Sequence, residues 1–111
     1  MTQITFYKAN DDIVGFEVFG HAMFDDEGFD IVCAAISSMT GLVINTITEV
    51  YHDIADVTVD GDSARIEFIL KSSDNKASTG LLIGFMEEIR ELKNQYPDNV
   101  NYKQQNITKG K

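Results

Sequence analysis

The sequence predicts an α+β fold in the order ββαββαβ, a mostly antiparallel sheet packed with a long buried central helix and a second amphipathic helix. Two pairs of short alternating segments, each interrupted by turn-forming residues, give the strands. Two long stretches of helical period, one after each pair, give the helices.

In chain order, Ile4-Thr5-Phe6-Tyr7-Lys8 alternates as a strand, and Asn10-Asp11-Asp12 suits a tight turn into a second strand, Ile13 to Phe19. Gly20-His21-Ala22 ends the hairpin. Met23 to Phe29, with Asp25-Asp26-Glu27-Gly28, lacks a period and reads as a loop. Asp30 is the expected N-cap of a helix from Ile31 to about Tyr51, in which Val32, Ile36, Met39, Val43, Ile47 and Val50 recur at helical spacing. Ile31, Ala35, Leu42 and Ile44 widen that stripe, so the helix is expected to be covered on more than one side. Gly41 inside it marks either close packing against another backbone or a local break.

Ile54 to Val59 and Ala64 to Lys71 flank Asp60-Gly61, expected as a type I′ turn of a second hairpin. The second helix is expected from Lys76 to Tyr96, with Leu82, Phe85, Met86 and Ile89 inward and Glu87, Glu88, Arg90 and Glu91 outward. Pro97 closes it, and Val100-Asn101-Tyr102 reads as a last strand.

The 111 residues suffice for one core, so a single domain over 1–111 is expected. One cysteine excludes an internal disulfide and a thiolate-rich zinc centre. The N-terminus MTQITFYKAN has no apolar signal region, and no apolar run is expected to reach the roughly 20 residues of a membrane span. A soluble, cytoplasmic chain with no membrane partner is expected. The net charge of −9 argues against nucleic-acid binding, which needs an excess of Lys and Arg. Residues 1–64 carry a net −11 and residues 65–111 a net +2, so the first half attracts basic partners.

Chemistry concentrates at His21 and Cys33. Cys33, three residues past the expected cap, falls in the first helical turn, where free N–H groups and the helix dipole favour a thiolate. An imidazole beside it completes a nucleophile–base pair for acyl transfer. Against this stands the packing role that most lone cysteines on apolar helices have. His52, just after the helix, suits a cap or surface position. Ser37 and Ser38 lack the glycine-framed turn that exposes a serine nucleophile. Asp25, Asp26, Glu27 and Asp30 lack calcium-loop spacing, and Gly80 to Gly84 lacks the Lys-Ser/Thr ending of a phosphate loop, so no metal and no cofactor is expected.

Gly20-His21-Ala22 and Asp30-Ile31-Val32-Cys33-Ala34-Ala35-Ile36-Ser37, with 12 residues from His21 to Cys33, resemble the ribosomal-processing cysteine protease family of bacteria. The resemblance extends to the ββαββαβ order. It implies a cytoplasmic endopeptidase that removes an N-terminal extension from a basic large-subunit ribosomal protein, number twenty-seven, with Cys33 as nucleophile and His21 as general base. Gly20, Asp30 and Ser37 then support the site. It further implies a homodimer, a mobile loop containing Met23, Phe24, Gly28 and Phe29, and an apolar groove beside Cys33 lined by Phe19, Met23 or Phe29. The competing reading is a non-catalytic acidic module that docks a basic ribosomal or assembly protein, with Cys33 as packing.

Overall fold

The computed structural model describes residues 1–20, 27–72 and 76–107. Its elements follow the expected order: β1 (Thr2–Ala9), β2 (Asp12–Phe19), α1 (Glu27–Asn45) continued by a π-helical turn (Thr46–Val50), β3 (Ile54–Asp60), β4 (Arg65–Ser72), α2 (Ala77–Gln95) and β5 (Val100–Asn106). The strands form one sheet in the order β3-β4-β2-β1-β5, antiparallel except where β5 runs parallel to β1.

The β1–β2 connection is the tight turn its residues demand. Asn10 and Asp11 have φ of 51° and 72°, the left-handed pair of a type I′ turn, and Ala9 stands opposite Asp12. The β3–β4 connection is not. Asp60 pairs with Arg65, so the link is the four residues Gly61 to Ala64, and it is Ala64, at φ 52°, that adopts the left-handed conformation. Asp60 decides this, because its Oδ1 accepts from the Asp62 N–H at 3.1 Å and the Ser63 N–H at 3.4 Å, holding a wider turn.

Strand alternation sends Ile4, Phe6, Phe16, Phe68 and Leu70 to one face, where Val32, Ile36 and Val43 of α1, Ile47 of the π turn and Leu82, Phe85 and Ile89 of α2 cover them. The Phe85 ring stands edge-on to Phe6 and Phe16, with centroids 5.5 and 5.0 Å away, and Phe16 stacks on Phe68 at 5.4 Å. Gly15 makes this approach feasible, since a Cβ there would lie 2.3 Å from the Phe68 carbonyl oxygen. On the opposite face Tyr7 donates to Glu67 at 2.6 Å, and Arg65 bridges Glu17 and Glu67.

The central helix departs from expectation in four ways. It starts at Glu27, so Gly28, Phe29 and Asp30 are helical: Asp30 is not the N-cap, and Gly28 and Phe29 are not loop. Glycine is a weak breaker in a first turn, where N–H groups lack intrahelical partners in any case. Secondly, Gly41 meets no atom within 4 Å on its open side and the helix runs through it, so neither close packing nor a break explains it. Thirdly, only one stripe is buried, while Ile31 (58% exposed), Leu42 (64%) and Val50 (67%) stand on an uncovered outer face. Finally, Ile31–Val50 is a 20-residue helical span long and apolar enough, by length and composition, to cross a membrane, which corrects the expectation that no run reaches that length. In this fold its inner stripe is the wall of the core, the ordinary reason for such a helix in a sheet-packed domain.

At its end Thr46 and Thr48 donate back to the Leu42 and Ile44 carbonyls at 2.7 and 2.9 Å, bonds that compete with the regular ladder where the helix widens into the π turn. Tyr51 is the C-cap, and His52 after it adopts φ 58°, letting the Asp53 N–H reach the Ile47 carbonyl at 3.0 Å; its exposed side chain agrees with the surface reading of His52. Ser78, fully buried at the start of α2, donates its hydroxyl to Asp53 and ties α2 to the link that follows the π turn.

Candidate active site

One end of the sheet gathers the start of β1, the end of β2, the β3–β4 turn and the first turns of α1. A cavity of about 290 Å³ opens there. Its walls are Thr2, Val18, Gly20, Cys33, Ile36, Ser37, Val59, Asp60, Gly61, Ala64, Arg65 and Ile66. Val18, Ile36, Val59 and Ile66 make it largely apolar, while Cys33 and Ser37 are the polar residues that α1 contributes to its wall.

Of the expected site residues, Gly20, Cys33 and Ser37 therefore share one cavity. Cys33 and Ser37 lie one helical turn apart on α1, which puts both side chains on the same flank of the helix. Gly20 sits across from them at φ 78°, a conformation that glycine adopts without a Cβ penalty. The Gly20 N–H donates to the Ala64 carbonyl at 3.2 Å, so the β3–β4 turn fixes the end of β2. His21, the next residue, lies outside the described residues, as do Met23, Phe24, Asp25 and Asp26.

Cys33 is the seventh residue of α1, because the helix begins at Glu27. It therefore lies in the second turn, about 9 Å along the axis from the first helical residue. The dipole acts mainly within the first turn, so its effect on the thiol is weaker than a cap at Asp30 implies. The N–H groups without intrahelical partners belong to residues 27–30, one turn before Cys33. Helical side chains lean toward the N-terminus, which inclines the thiol toward those donors.

Phe19 does not line the cavity. Core residues Phe16 and Val18 alternate with Glu17 and Phe19 along β2, which turns Phe19 to the opposite face, where it is 44% exposed. Thr2, Asp60 and Arg65 were not singled out from sequence. Thr2 belongs to a strand whose alternation looks ordinary, and Asp60 looks like a turn residue and nothing more. Only the meeting of β1, β2 and the second hairpin at one end of the sheet brings them to Cys33.

Comparison with known proteins defines the class first: the fold is that of a cysteine protease. The chain belongs to the cysteine protease Prp family, whose sequence model matches residues 1–101. A curated relative, the ribosomal processing cysteine protease Prp of Bacillus subtilis (strain 168), is 27% identical over 105 residues, covering 90% of this chain and 94% of the relative. Among solved structures, SMU.848 from Streptococcus mutans is 25% identical with a TM-score of 0.82, covering 96% of each chain. The essential ribosomal processing protease Prp from S. aureus, solved with a substrate peptide, has a TM-score of 0.85 at 17% identity, covering 95% of this chain and 100% of that one. The same S. aureus protease with a covalently linked product peptide gives a TM-score of 0.83 at 18% identity, again over 95% and 100%. At those identities the two S. aureus structures bear on the fold alone.

Proposed function

We propose that this chain is a cysteine endopeptidase that removes the N-terminal extension of large-subunit ribosomal protein number twenty-seven, with Cys33 as nucleophile and His21 as general base. The observation that carries the reading is the largely apolar cavity that Cys33 and Ser37 share with Gly20, the residue next to His21. Membership of the Prp family supports the protease chemistry. The relative named for ribosomal processing supports the kind of substrate.

In this mechanism His21 takes the thiol proton, and the thiolate sulfur attacks the scissile carbonyl carbon. The carbonyl oxygen becomes an oxyanion near the unbonded N–H groups of residues 27–30. Collapse breaks the C–N bond, and the amine leaves with the proton from His21. Water then attacks the thioester while His21 accepts its proton, releasing the carboxylate and restoring the thiol. Ser37 contacts substrate beside Cys33, and Asp30 helps to orient His21.

The net −11 of residues 1–64 suits a basic substrate and disfavours direct nucleic-acid binding. We read residues 1–111 as a single domain acting in the cytoplasm as a homodimer, with the uncovered apolar face of α1 as the surface to be buried.

The test is mass spectrometry of the full-length precursor incubated with the protein or with Cys33→Ala. One new N-terminus that needs Cys33 is the expected result. The acidic charge of the first half favours a second reading, the non-catalytic docking module. Intact precursor that co-purifies with both proteins establishes that reading instead.

A further inference from the structure

β3 is the outermost strand of the sheet, paired on one side with β4 and meeting no strand on the other among the described residues. Which of its main-chain groups face that open edge follows from the turn. The Ala64 carbonyl points toward β2, where it accepts from the Gly20 N–H at 3.2 Å. A trans peptide turns the Arg65 N–H the opposite way, toward its register partner Asp60 on β3. Main-chain groups alternate in direction along a strand, so those of Asp56, Thr58 and Asp60 turn toward β4. Val57 and Val59 therefore present their N–H and C=O groups at the open edge.

The same two residues hold the helix-facing side. Val57 stands opposite Phe68 and Val59 opposite Ile66, on the face that buries Phe68 completely. The helices stop short of them, leaving Val57 42% and Val59 67% exposed, and Val59 is part of the wall of the Cys33 cavity. Edge strands are ordinarily blunted by lysine, proline or a bulge, and from Ala55 to Asp60 β3 has none of these. Asp56, Asp60 and the turn residue Asp62 are exposed along it. Their charge repels a second copy of the strand and suits a basic segment.

We infer that the outer edge of β3 binds substrate: an extended basic segment of the ribosomal precursor, continuous with the peptide in the Cys33 cavity, adds to the sheet there and pairs its main chain with Val57 and Val59. This rests on the peptidase reading above. Main-chain pairing holds the segment extended whatever its sequence, and the two valine side chains favour apolar neighbours on the cavity side. A chain so held leads past Val59 into the cavity, which orders it before the junction reaches Cys33.

The experiment uses Cys33→Ala protein, which holds peptide without cutting it, and a peptide spanning the junction between the N-terminal extension and the body of ribosomal protein twenty-seven. Amide hydrogen exchange followed by NMR reads each N–H of β3 with and without peptide. With peptide at about ten times its Kd, exchange at Val57 and Val59 is expected to slow about tenfold, while Thr58, turned toward β4 in either state, changes little. Anisotropy of a fluorescent form of the peptide should give a Kd about fivefold weaker for Val57→Pro. An edge strand tolerates that proline, because the N–H it removes faces outward. Bound peptide with exchange at Val57 and Val59 unchanged, beside a wild type that cleaves the precursor, overturns the inference and leaves the peptidase reading standing. Slow exchange at both amides before peptide is added shows the edge already covered and overturns it equally, as does an equal Kd for a folded Val57→Pro. Should that variant lack a cooperative melt, the exchange result decides. If the wild type does not cleave and Cys33→Ala does not bind, the peptidase reading fails and takes this inference with it.

Discussion

The Gly20 N–H donates to the Ala64 carbonyl at 3.2 Å, and both residues hold left-handed backbone, at φ 78° and 52°. One hydrogen bond thus fastens the end of β2 to a turn that the Asp60 side chain organises. The backbone leaves that anchor one residue before His21.

Gly20→Ala therefore strains the anchor. A non-glycine residue in this region costs on the order of 1–3 kcal/mol, and the added Cβ would sit 3.3 Å from the Met1 carbonyl oxygen. The expected outcome is a lowered melting temperature with cleavage of the precursor reduced by more than the loss of folded protein accounts for. Cleavage per folded molecule equal to wild type would detach Gly20 from the site.

Because Cys33 lies in the second turn of α1, the proposed mechanism makes thiolate formation depend chiefly on His21 and little on the helix end. Alkylation by iodoacetamide is expected to proceed readily below pH 8 in the wild type. His21→Ala should shift the profile toward that of an ordinary thiol, with a pKa of about 8.5. Superimposable pH profiles would remove His21 from the role of base.

Burial, reinforced by the hydrogen bond to Glu67, raises the Tyr7 phenol above its ordinary range. The unfolded chain ionises near pH 10 while the folded one stays protonated, so the contribution of Tyr7 is intact below that pH and is lost as pH rises toward its folded pKa. Chemical denaturation between pH 9 and 12 should show stability falling more steeply in the wild type than in Tyr7→Phe. Parallel curves would contradict this.

Leu42 is 64% exposed at the middle of the outer face of α1. A charge placed there would be buried without a partner if two copies meet on this face, so Leu42→Glu is expected to convert a dimer to a monomer in sedimentation equilibrium. The isolated fold should tolerate it, since the position faces away from the core. A dimer unaffected by Leu42→Glu would move the interface elsewhere.

The hairpins, both helices and the order of elements were legible from local signals. The Asn10-Asp11 turn, the stripe Leu82, Phe85, Met86 and Ile89, and the Pro97 stop each depend on residues close in sequence. The errors arose where two local rules competed. Gly28 reads as a bend and Asp30 as a cap, but a first helical turn tolerates the glycine, and α1 begins at Glu27, four residues before the expected Ile31. Asp60-Gly61 reads as a two-residue turn, but the Asp60 carboxylate accepts two N–H groups beyond it and makes the turn wider. The apolar residues of Ile31–Val50 follow a helical period that suggests cover on several sides, and the structure buries one stripe and leaves the other open.

The sequence by itself determined the α+β order, the family and the pair of residues, His21 and Cys33, on which the chemistry is proposed to turn. Periodicity, turn chemistry and motif spacing are all short-range properties of the chain. The cavity was decided by tertiary structure alone. Thr2, Gly20, Cys33 and Ala64 meet because β1 begins, β2 ends and the second hairpin turns at the same end of the sheet, beside the first turns of α1. Sheet pairing and helix packing set those distances, and they join residues up to 62 positions apart that no local pattern relates.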